Sequence, residues 1–315
     1  MSDTRVVHVV GSGAVGMALV ACLVEDGRNA VAVRTLNKDA PKETIGVRLE
    51  DGPDQIRVSV ETIGLSELKR LDGIVAVTAK SYANRAIGAE LRNKAVRGPL
   101  VVLQNGVGVE APFLEAELPE VYRCVLYVTS QSTPDGALRF RAIKSSPIGI
   151  IQGTETGLDG VVLALSTPRL PFHSEGKIQR EIWKKAIINA VFNSICPLLE
   201  TDNGVFVRDQ AVAQLADDVV VECLVLTDRL GLGLTQDELM DQILQISRSS
   251  AGQLISTLQD IRNGRETEIE FLNMEIAQTA AAQRPRIDLP RTELLGKMVL
   301  AKARRTAENS LGRNS

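Results

Sequence analysis

Three polar residues recur at every fourth position of an otherwise apolar segment, residues 183–199. They are Lys185, Asn189 and Asn193, and in a helix this spacing places them along one face. A helix that is apolar on most sides is normally buried, and burying an ammonium and two amides is costly unless each has a partner. A bound ligand would be such a partner, so this segment is a candidate active-site wall.

A glycine-rich loop near the N-terminus has the spacing G-x-G-x-x-G. It follows an apolar run typical of a buried strand and opens a segment of helical periodicity, which is the context that dinucleotide binding requires. The first glycine permits a tight turn, the second lets the backbone approach a pyrophosphate, and the third allows close packing of helix on strand. The loop therefore predicts a dinucleotide site; the alternative is a tight turn without a ligand. Its residues are Gly11, Ser12, Gly13, Ala14, Val15 and Gly16.

The end of the second predicted strand indicates which dinucleotide binds. An acidic residue there would bind the ribose 2′-hydroxyl of NAD, whereas an arginine accommodates the 2′-phosphate of NADP. The strand at 30–33 ends at Arg34, and the next acidic residue is Asp39. We therefore expect NADP(H), with Arg34 at the phosphate; the alternative is that Arg34 only solvates the strand end.

Two more loops follow predicted strands of the same sheet. Lys80 comes after the strand at 74–77, and Asn105 comes after the strand at 100–103. Ligands of open α/β sheets bind in the crevice outside the carboxyl ends of the strands. Lys80 could therefore meet a phosphate or carboxylate, and Asn105 could orient the nicotinamide ribose or the substrate. Taken alone, either is more often an ordinary loop residue, since Asn-Gly is a common turn.

Composition excludes several classes of function. The 315 residues carry 36 Lys and Arg against 39 Asp and Glu, a net charge of −3, which argues against binding of nucleic acid or of an anionic membrane. No uncharged apolar stretch reaches the roughly 18 residues of a membrane span. The polar N-terminus lacks the character of a signal peptide, so we expect a cytoplasmic protein. Two histidines and four scattered cysteines give no ligand pattern, and we expect no metal site.

The elements that must position these residues change in character along the chain. Up to about Gly176, short β-rich runs alternate with helical segments, and beyond it strand signals nearly vanish. This order predicts an α/β fold, with an N-terminal Rossmann-type doubly wound sheet followed by an all-α C-terminal domain. We expect residues 1–175 to bind NADP and residues 176–315 to form a helical substrate and catalytic domain. The predicted helices of that domain are 178–199, 207–230, 236–247, 253–262, 268–283 and 291–306.

The set of motifs resembles the ketopantoate reductase (2-dehydropantoate 2-reductase) family. After the glycine loop come T-A-K ending at Lys80, Q-N-G around Asn105, W-K-K-x-x-x-N-x-x-x-N from Trp183, and T-E-I-E from Thr267. Many dehydrogenases share the glycine loop, whereas the Lys-Asn-Asn helix followed by T-E-I-E is far more specific. The resemblance covers residues 6–305 and implies a Rossmann domain followed by a helical domain, with the site in the cleft.

Two of the matched residues would act in catalysis. Hydride addition to a ketone produces an alkoxide, which needs a proton donor or a cation beside it, and the resemblance implies that Lys185 is this acid. It also implies that Glu268 holds the substrate hydroxyl and supports the proton chemistry. From the residues alone Glu268 has an ordinary alternative. Thr267 and Glu270 have the spacing of a capping box, which would make Glu268 a first-turn acid of a helix.

The other matched residues would bind substrate and cofactor. The resemblance implies that Asn189 and Asn193 hydrogen-bond the substrate and that Ser256 contacts its carboxylate. It further implies that Lys80 and Asn105 face the cofactor and the substrate. On its own, Ser256 would be an unremarkable helix residue.

Three hypotheses about function follow. The leading one is NADPH-dependent reduction of 2-dehydropantoate to (R)-pantoate, a step toward pantothenate and coenzyme A. The second keeps this chemistry but changes the 2-oxo acid, because residues 140–147 lack the glycine-rich turns and the histidine that family members often carry there. The third is an NADP-binding sensor without catalysis, against which the Lys-Asn-Asn stripe argues. We expect a small 2-oxo acid as the partner and a homodimer as the assembly.

Overall fold

The chain forms two compact units in a computed structural model that describes residues 5–311. The first unit comprises the residues up to Gln104 together with Val109–Ile178, and the second comprises Asn105–Gly108 and the residues from Gln179 onward. Residues 1–4, which contribute to the expectation that there is no signal peptide, lie outside the described part.

The first unit contains β-strands interleaved with short helices. Its strands are β1 Val7–Val10, β2 Ala30–Arg34, β3 Glu43–Asp51, β4 Asp54–Gly64, β5 Arg70–Asp72, β6 Ile74–Val77, β7 Ala95–Arg97, β8 Leu100–Val102, β9 Val121–Cys124, β10 Val128–Ser132, β11 Leu138–Ala142, β12 Ser146–Gln152 and β13 Phe172–Ser174. Its helices are α1 Ala14–Glu25, α2 Asn84–Arg92, α3 Ala111–Glu115 and α4 Glu155–Leu165.

Most of these strands belong to one sheet, in the order β10-β11-β3-β4-β2-β1-β6-β8-β9-β12-β13. The six neighbours β4-β2-β1-β6-β8-β9 run parallel. From β1 the chain moves to β2 on one side and later starts β6 on the other side, so the strand order reverses at β1 as in a doubly wound sheet. The predicted α/β fold class is thereby confirmed.

The parallel strands at the centre of this sheet carry the core of the first unit. Strands β1, β6 and β8 are buried along their whole length. A parallel sheet is covered on both faces, which is why these strands read as unbroken apolar runs instead of alternating. The β3–β4 hairpin is antiparallel, with Asp51 paired to Asp54 across its turn.

In the second unit, every regular element among the described residues is a helix. Its helices are α5 Ile178–Leu199, α6 Val205–Arg208, α7 Gln210–Arg229, α8 Gln236–Ser249, α9 Ser256–Arg262, α10 Asn273–Ala281 and α11 Pro290–Leu311. The predicted helix at 178–199 is confirmed. Its apolar residues pack inward on most sides, with Trp183 4% exposed and both Ile187 and Val191 fully buried.

Two predicted helices of this unit were wrong in outline. The helix predicted at 207–230 is interrupted at Asp209, which has extended backbone and caps α7 by accepting hydrogen bonds from Ala211 N at 2.9 Å and Val212 N at 3.3 Å. An aspartate is among the preferred N-cap residues. The apolar periodicity runs on across Asp209, and for this reason it did not indicate the boundary between the two helices α6 and α7.

The predicted capping box at Thr267 is also wrong. In place of a helix over 268–283, the chain forms a short 3-10 turn at Ile269–Phe271 with no side-chain cap, and α10 begins only at Asn273. The carbonyl of Phe271, which a continuing helix would use internally, accepts a hydrogen bond from Val107 N at 3.2 Å.

Candidate active site

The glycine loop has the geometry of a phosphate-binding turn. Gly11 has φ +122°, a left-handed value that favours glycine, and a Cβ on Gly16 would overlap the Gly11 carbonyl and the Thr78 hydroxyl. A Cβ on Gly13 would meet open space. No side chain caps α1, and its first turn holds no acidic residue. The loop therefore offers an open approach to backbone N–H groups at a helix N-terminus, where anions bind favourably.

Arg34 is held at the carboxyl end of β2 by the neighbouring hairpin. Its guanidinium donates to the Glu43 carboxylate and to the Thr62 hydroxyl, and its side chain is 19% exposed. Thr62 is buried, whereas half of the Glu43 side chain is exposed. An anion that binds the Arg34 guanidinium would therefore share this group with the Glu43 carboxylate.

The loop that carries Lys80 is fixed by buried amides. Asn84 and Gln104 exchange hydrogen bonds through their side-chain amides, at 2.7 and 2.6 Å, and both are at least 93% buried. The Gln104 amide also donates to the carbonyl of Ala79, and the Thr78 hydroxyl donates to the Gly11 carbonyl at 3.0 Å. Hydrogen bonds therefore hold the backbone just before the half-buried Lys80 both to Gln104, after β8, and to the glycine loop.

A buried arginine lies beneath the same strand ends, and sequence reasoning missed it. Arg123 is 2% exposed, donates to the carbonyl of Gln104 at 2.9 Å, and has Nε 3.3 Å from the Glu110 carboxylate. Burial lowers the pKa of Arg123, and the charge of Glu110 opposes this effect. A buried ion pair is weak support for stability. The sequence feature that could have indicated Arg123 is a charged residue within an otherwise apolar predicted strand, Val-Tyr-Arg-Cys.

On α5 the structure distinguishes two adjacent lysines. Lys184 donates to Glu238 at 2.6 Å, and Arg180 pairs with the same carboxylate. Burial alone would raise the pKa of Glu238, but the hydrogen bonds from Arg180 and Lys184 lower it overall. Lys185 lies about 100° further around the helix and is half-buried, as is Asn189 one turn along.

The third residue of this stripe, Asn193, is almost completely buried and tied to α9. It is 4% exposed, and its Oδ1 accepts from Thr257 Oγ1 at 2.8 Å, Ser256 Oγ at 3.3 Å and Thr257 N at 3.4 Å. Its Nδ2 donates to the carbonyl of Asn189 at 3.0 Å. The structure thus brings Ser256 to Asn193, 63 positions away in sequence, and joins Asn193 to Asn189 one turn before it on α5.

The loop before α9 is anchored by the loop after α5. Asp202 accepts from Gly204 N at 2.7 Å and Gly252 N at 3.0 Å, and it pairs with both terminal nitrogens of Arg208. These hydrogen bonds, the one from Arg208 foremost, hold the pKa of Asp202 well below its usual range. They fix the path of the chain from α8 into Ser256.

Glu268 and Asn105 are both in the second unit. Glu268 is half-buried at the start of the 3-10 turn, whereas Glu266 and Glu270 on either side are exposed. Asn105 is exposed in the segment Asn105–Gly108, which is joined to the end of that turn through the hydrogen bond from Val107 N to the Phe271 carbonyl.

Residues 5–311 hold neither a metal-binding cluster nor a membrane-spanning helix. They contain no group of three or more His, Cys, Asp or Glu side chains placed to hold a metal ion. None of the helices in that range is both long and apolar enough to cross a membrane.

Comparison with known proteins identifies relatives of both units. Residues 7–153 match the family model described as ketopantoate reductase PanE/ApbA, and residues 177–303 match its C-terminal counterpart. The 2-dehydropantoate 2-reductase of Pyrococcus abyssi is 27% identical over 281 residues, which are 88% of this chain and 91% of that protein.

Solved structures share the fold at low identity. The PanE/ApbA family ketopantoate reductase from Ralstonia eutropha JMP134 has a TM-score of 0.81 at 22% identity, covering 96% of this chain and 99% of that one. D-mandelate dehydrogenase, in a ternary structure with NADH and anilino(oxo)acetate, has a TM-score of 0.80 at 17% identity with the same coverage. The two family matches together span most of the sequence, and the chain therefore belongs to the ketopantoate reductase PanE/ApbA family, a family of oxidoreductases.

Proposed function

We propose that this protein is an NADPH-dependent reductase that converts 2-dehydropantoate to (R)-pantoate, a step toward pantothenate and coenzyme A. The observation that carries the proposal is the polar stripe of α5. Lys185 and Asn189 are half-buried in a stretch, residues 185–197, in which every other residue is buried, and Asn193 is bonded to Ser256. Family membership and the relatives named 2-dehydropantoate 2-reductase support the same reaction.

The residues present fit a nicotinamide dinucleotide. The open side of Gly13 and the uncapped first turn of α1 suit a pyrophosphate. Arg34 suits the 2′-phosphate that distinguishes NADPH from NADH, and Lys80 adds a cation in the same unit. Bound NADPH would supply a hydride to the ketone carbon.

The helical unit would supply the proton and hold the substrate. The Lys185 ammonium gives a proton to the ketone oxygen, so that hydride and proton together convert the ketone to a hydroxyl. The Ser256 hydroxyl donates to the substrate carboxylate, and the amides of Asn189 and Asn193 hydrogen-bond the substrate. Glu268 accepts a hydrogen bond from the substrate hydroxyl.

A second candidate is a reductase of this family with another 2-oxo acid as substrate. D-mandelate dehydrogenase has the same fold and binds NADH, so the fold accommodates a different acid and the other cofactor. Residues 140–147 also depart from the family pattern. A sensor without catalysis is the third candidate, and neither the half-buried lysine nor the family favours it.

The test is steady-state consumption of NADPH with a panel of 2-oxo acids. We expect the highest kcat/KM with 2-dehydropantoate, compared with pyruvate, 2-oxoisovalerate and benzoylformate, the ketone that corresponds to mandelate. A tenfold or greater preference for another acid would replace the first candidate by the second. Absence of turnover with all of these acids would refute the proposal that the protein is a 2-oxo acid reductase. The expected homodimer stays a prediction that light scattering can check.

A further inference from the structure

Thr257 directly follows Ser256 at the start of α9 and is turned into the protein interior. It is 3% exposed, whereas Ser256 is exposed. Its hydroxyl donates to Oδ1 of Asn193 at 2.8 Å, and its backbone N lies 3.4 Å from the same oxygen. Two consecutive residues therefore share one buried acceptor, although only the first can meet a ligand from solvent.

The partners of Asn193 fix the orientation of its amide. The backbone N–H of Thr257 can only donate, so the atom that faces it is Oδ1, and the carbonyl of Asn189 can only accept, so the atom that faces it is Nδ2. The Ser256 hydroxyl, 3.3 Å from Oδ1, consequently directs its proton at Asn193.

This arrangement sets a condition for binding a carboxylate at Ser256. A hydroxyl has a single proton, and an ionised carboxylate only accepts hydrogen bonds. Ser256 can therefore donate to a carboxylate only if its proton leaves Asn193. Removing a donor from a buried carbonyl oxygen is unfavourable unless another donor remains. Two donors of Thr257 remain, and its hydroxyl at 2.8 Å is much closer to Oδ1 than its backbone N at 3.4 Å, so the hydroxyl is the main replacement for Ser256.

We propose that Thr257 is a positioning residue for substrate binding: its hydroxyl keeps Asn193 satisfied, which releases the Ser256 proton to the carboxylate of the 2-oxo acid. The inference rests on the proposed function, in which Ser256 binds that carboxylate. Thr257 itself does not touch the substrate and acts through Asn193 and Ser256.

The test compares Thr257→Val with Thr257→Ser in the full-length protein. Valine has nearly the shape of threonine without its hydroxyl. It leaves Asn193 Oδ1 only the long contact from the backbone N of residue 257, at 3.4 Å, besides Ser256, so Asn193 should hold the Ser256 proton more strongly. We expect the KM for 2-dehydropantoate to rise about tenfold, with kcat and the KM for NADPH within about twofold of wild type. Thr257→Ser restores a hydroxyl and should restore the wild-type KM.

Thr292→Val is the matched control for loss of a buried threonine hydroxyl. Thr292 is fully buried in the same unit, and its hydroxyl donates to Glu222 at 2.8 Å. Both valine variants should unfold at a lower Tm, but only Thr257→Val should raise the KM for the acid. An unchanged KM in Thr257→Val, or an equal rise in Thr292→Val, would overturn the inference.

The proposed function can fail separately from this inference. If the wild type turns over no 2-oxo acid, calorimetric titration of the NADPH-saturated protein with oxamate, a 2-oxo acid analogue, replaces the kinetic assay. Weaker oxamate binding to Thr257→Val than to the wild type and Thr257→Ser would support the inference. Equal binding to all three, or no binding to the wild type, would overturn it.

Discussion

Lys184 and Lys185 are adjacent and chemically identical, so any difference between their roles must come from their surroundings. Glu238 engages Lys184 at 2.6 Å, which gives that lysine an ordinary structural partner. The spacing of Lys185, Asn189 and Asn193 was enough to predict that they share a helix face. The sequence contained no sign of Glu238 as the partner of Lys184, because 54 positions separate them and only tertiary packing brings α8 to α5.

At the level of single residues, the structure also bears on the two interpretations of Glu268, as a substrate-binding residue and as a first-turn acid of a helix. The capping box that would have made it a first-turn acid does not form. Its two acidic neighbours, Glu266 and Glu270, are exposed, while Glu268 is half-buried. The structure thus removes the alternative that Glu268 is a first-turn acid in a helix capped by Thr267.

Arg34→Ala tests the choice of cofactor. If the guanidinium binds the 2′-phosphate, its loss should raise the KM for NADPH by about 10- to 100-fold and change the KM for NADH by less than about threefold. Lys38→Ala is the control, because Lys38 is a cation of the same loop that pairs with Glu90 at 3.4 Å. Equal effects of Arg34→Ala on both cofactors would contradict the assignment to the 2′-phosphate.

Among the elements, the continuous apolar strands were predictable and the irregular segments were not. Strand β6 begins and ends where the apolar run at 74–77 predicted it, and helix α1 opens from the glycine loop, as the helical periodicity there predicted. The break at Asp209 was hidden, since α6 and α7 share one apolar period and the cap only becomes visible through its hydrogen bonds. Helix α4 was missed because its residues follow strands directly, without a clear start signal beyond the Thr154 cap.

The glycine loop gives a prediction about the junction of β1 and α1. Gly16→Ala should destabilise the fold by about 2–4 kcal/mol, because its Cβ would overlap backbone at Gly11. Gly13→Ala should change stability by less than about 1 kcal/mol, since Gly13 has φ −74° and open space beside it. Denaturant unfolding and fluorescence titration with NADPH separate these effects.

The two variants should differ in which property they lose, stability for Gly16→Ala and affinity for NADPH for Gly13→Ala. Gly13→Ala should fold normally and yet lose most of its affinity for NADPH, because the methyl group would occupy the approach of the pyrophosphate. A Gly13→Ala protein with unchanged affinity would show that the loop is only a tight turn.

The anchor at Asp202 predicts how stability depends on pH. The folded pKa of Asp202 lies below its unfolded value, so its stabilisation is complete above about pH 4 and is lost as the pH falls through the folded pKa. Asp202→Asn should therefore lower the free energy of unfolding by about 1–3 kcal/mol at neutral pH and by less in acid.

Urea unfolding between pH 7 and pH 2.5 measures this difference, with Asp209→Asn as a control. Asparagine is as good an N-cap as aspartate, so the control should stay near wild type at every pH. A difference between wild type and Asp202→Asn that grows in acid would contradict the assignment.

Over the whole molecule, the sequence predicted the fold class because each level of pattern agreed. The strand order reverses at β1, and described strands are confined to the first unit. The segment Asn105–Gly108 was not predictable, since it lies within the sheet-forming part of the sequence and yet belongs by its contacts to the helical unit. Such a segment depends on tertiary contacts that no local period encodes.

The cysteines give a prediction for the intact protein. All four are buried, and burial raises the pKa of Cys22, Cys196 and Cys223 to about 12. Because the thiolate is the reactive form, the native protein should react negligibly with Ellman's reagent at pH 8, whereas the denatured chain should release four equivalents. Rapid labelling of one native thiol would contradict this picture of two well-packed units.

A pair of alanine variants tests whether Lys185 is the acid of an NADPH-dependent 2-oxo acid reduction. Turnover of 2-dehydropantoate by Lys185→Ala and Lys184→Ala should be measured beside wild type under saturating NADPH. We expect Lys185→Ala to lower kcat by about 10²- to 10⁴-fold, because the alkoxide loses its proton donor, while Lys184→Ala stays within about threefold of wild type. Equal kcat values for the two variants, or a larger loss in Lys184→Ala, would contradict it.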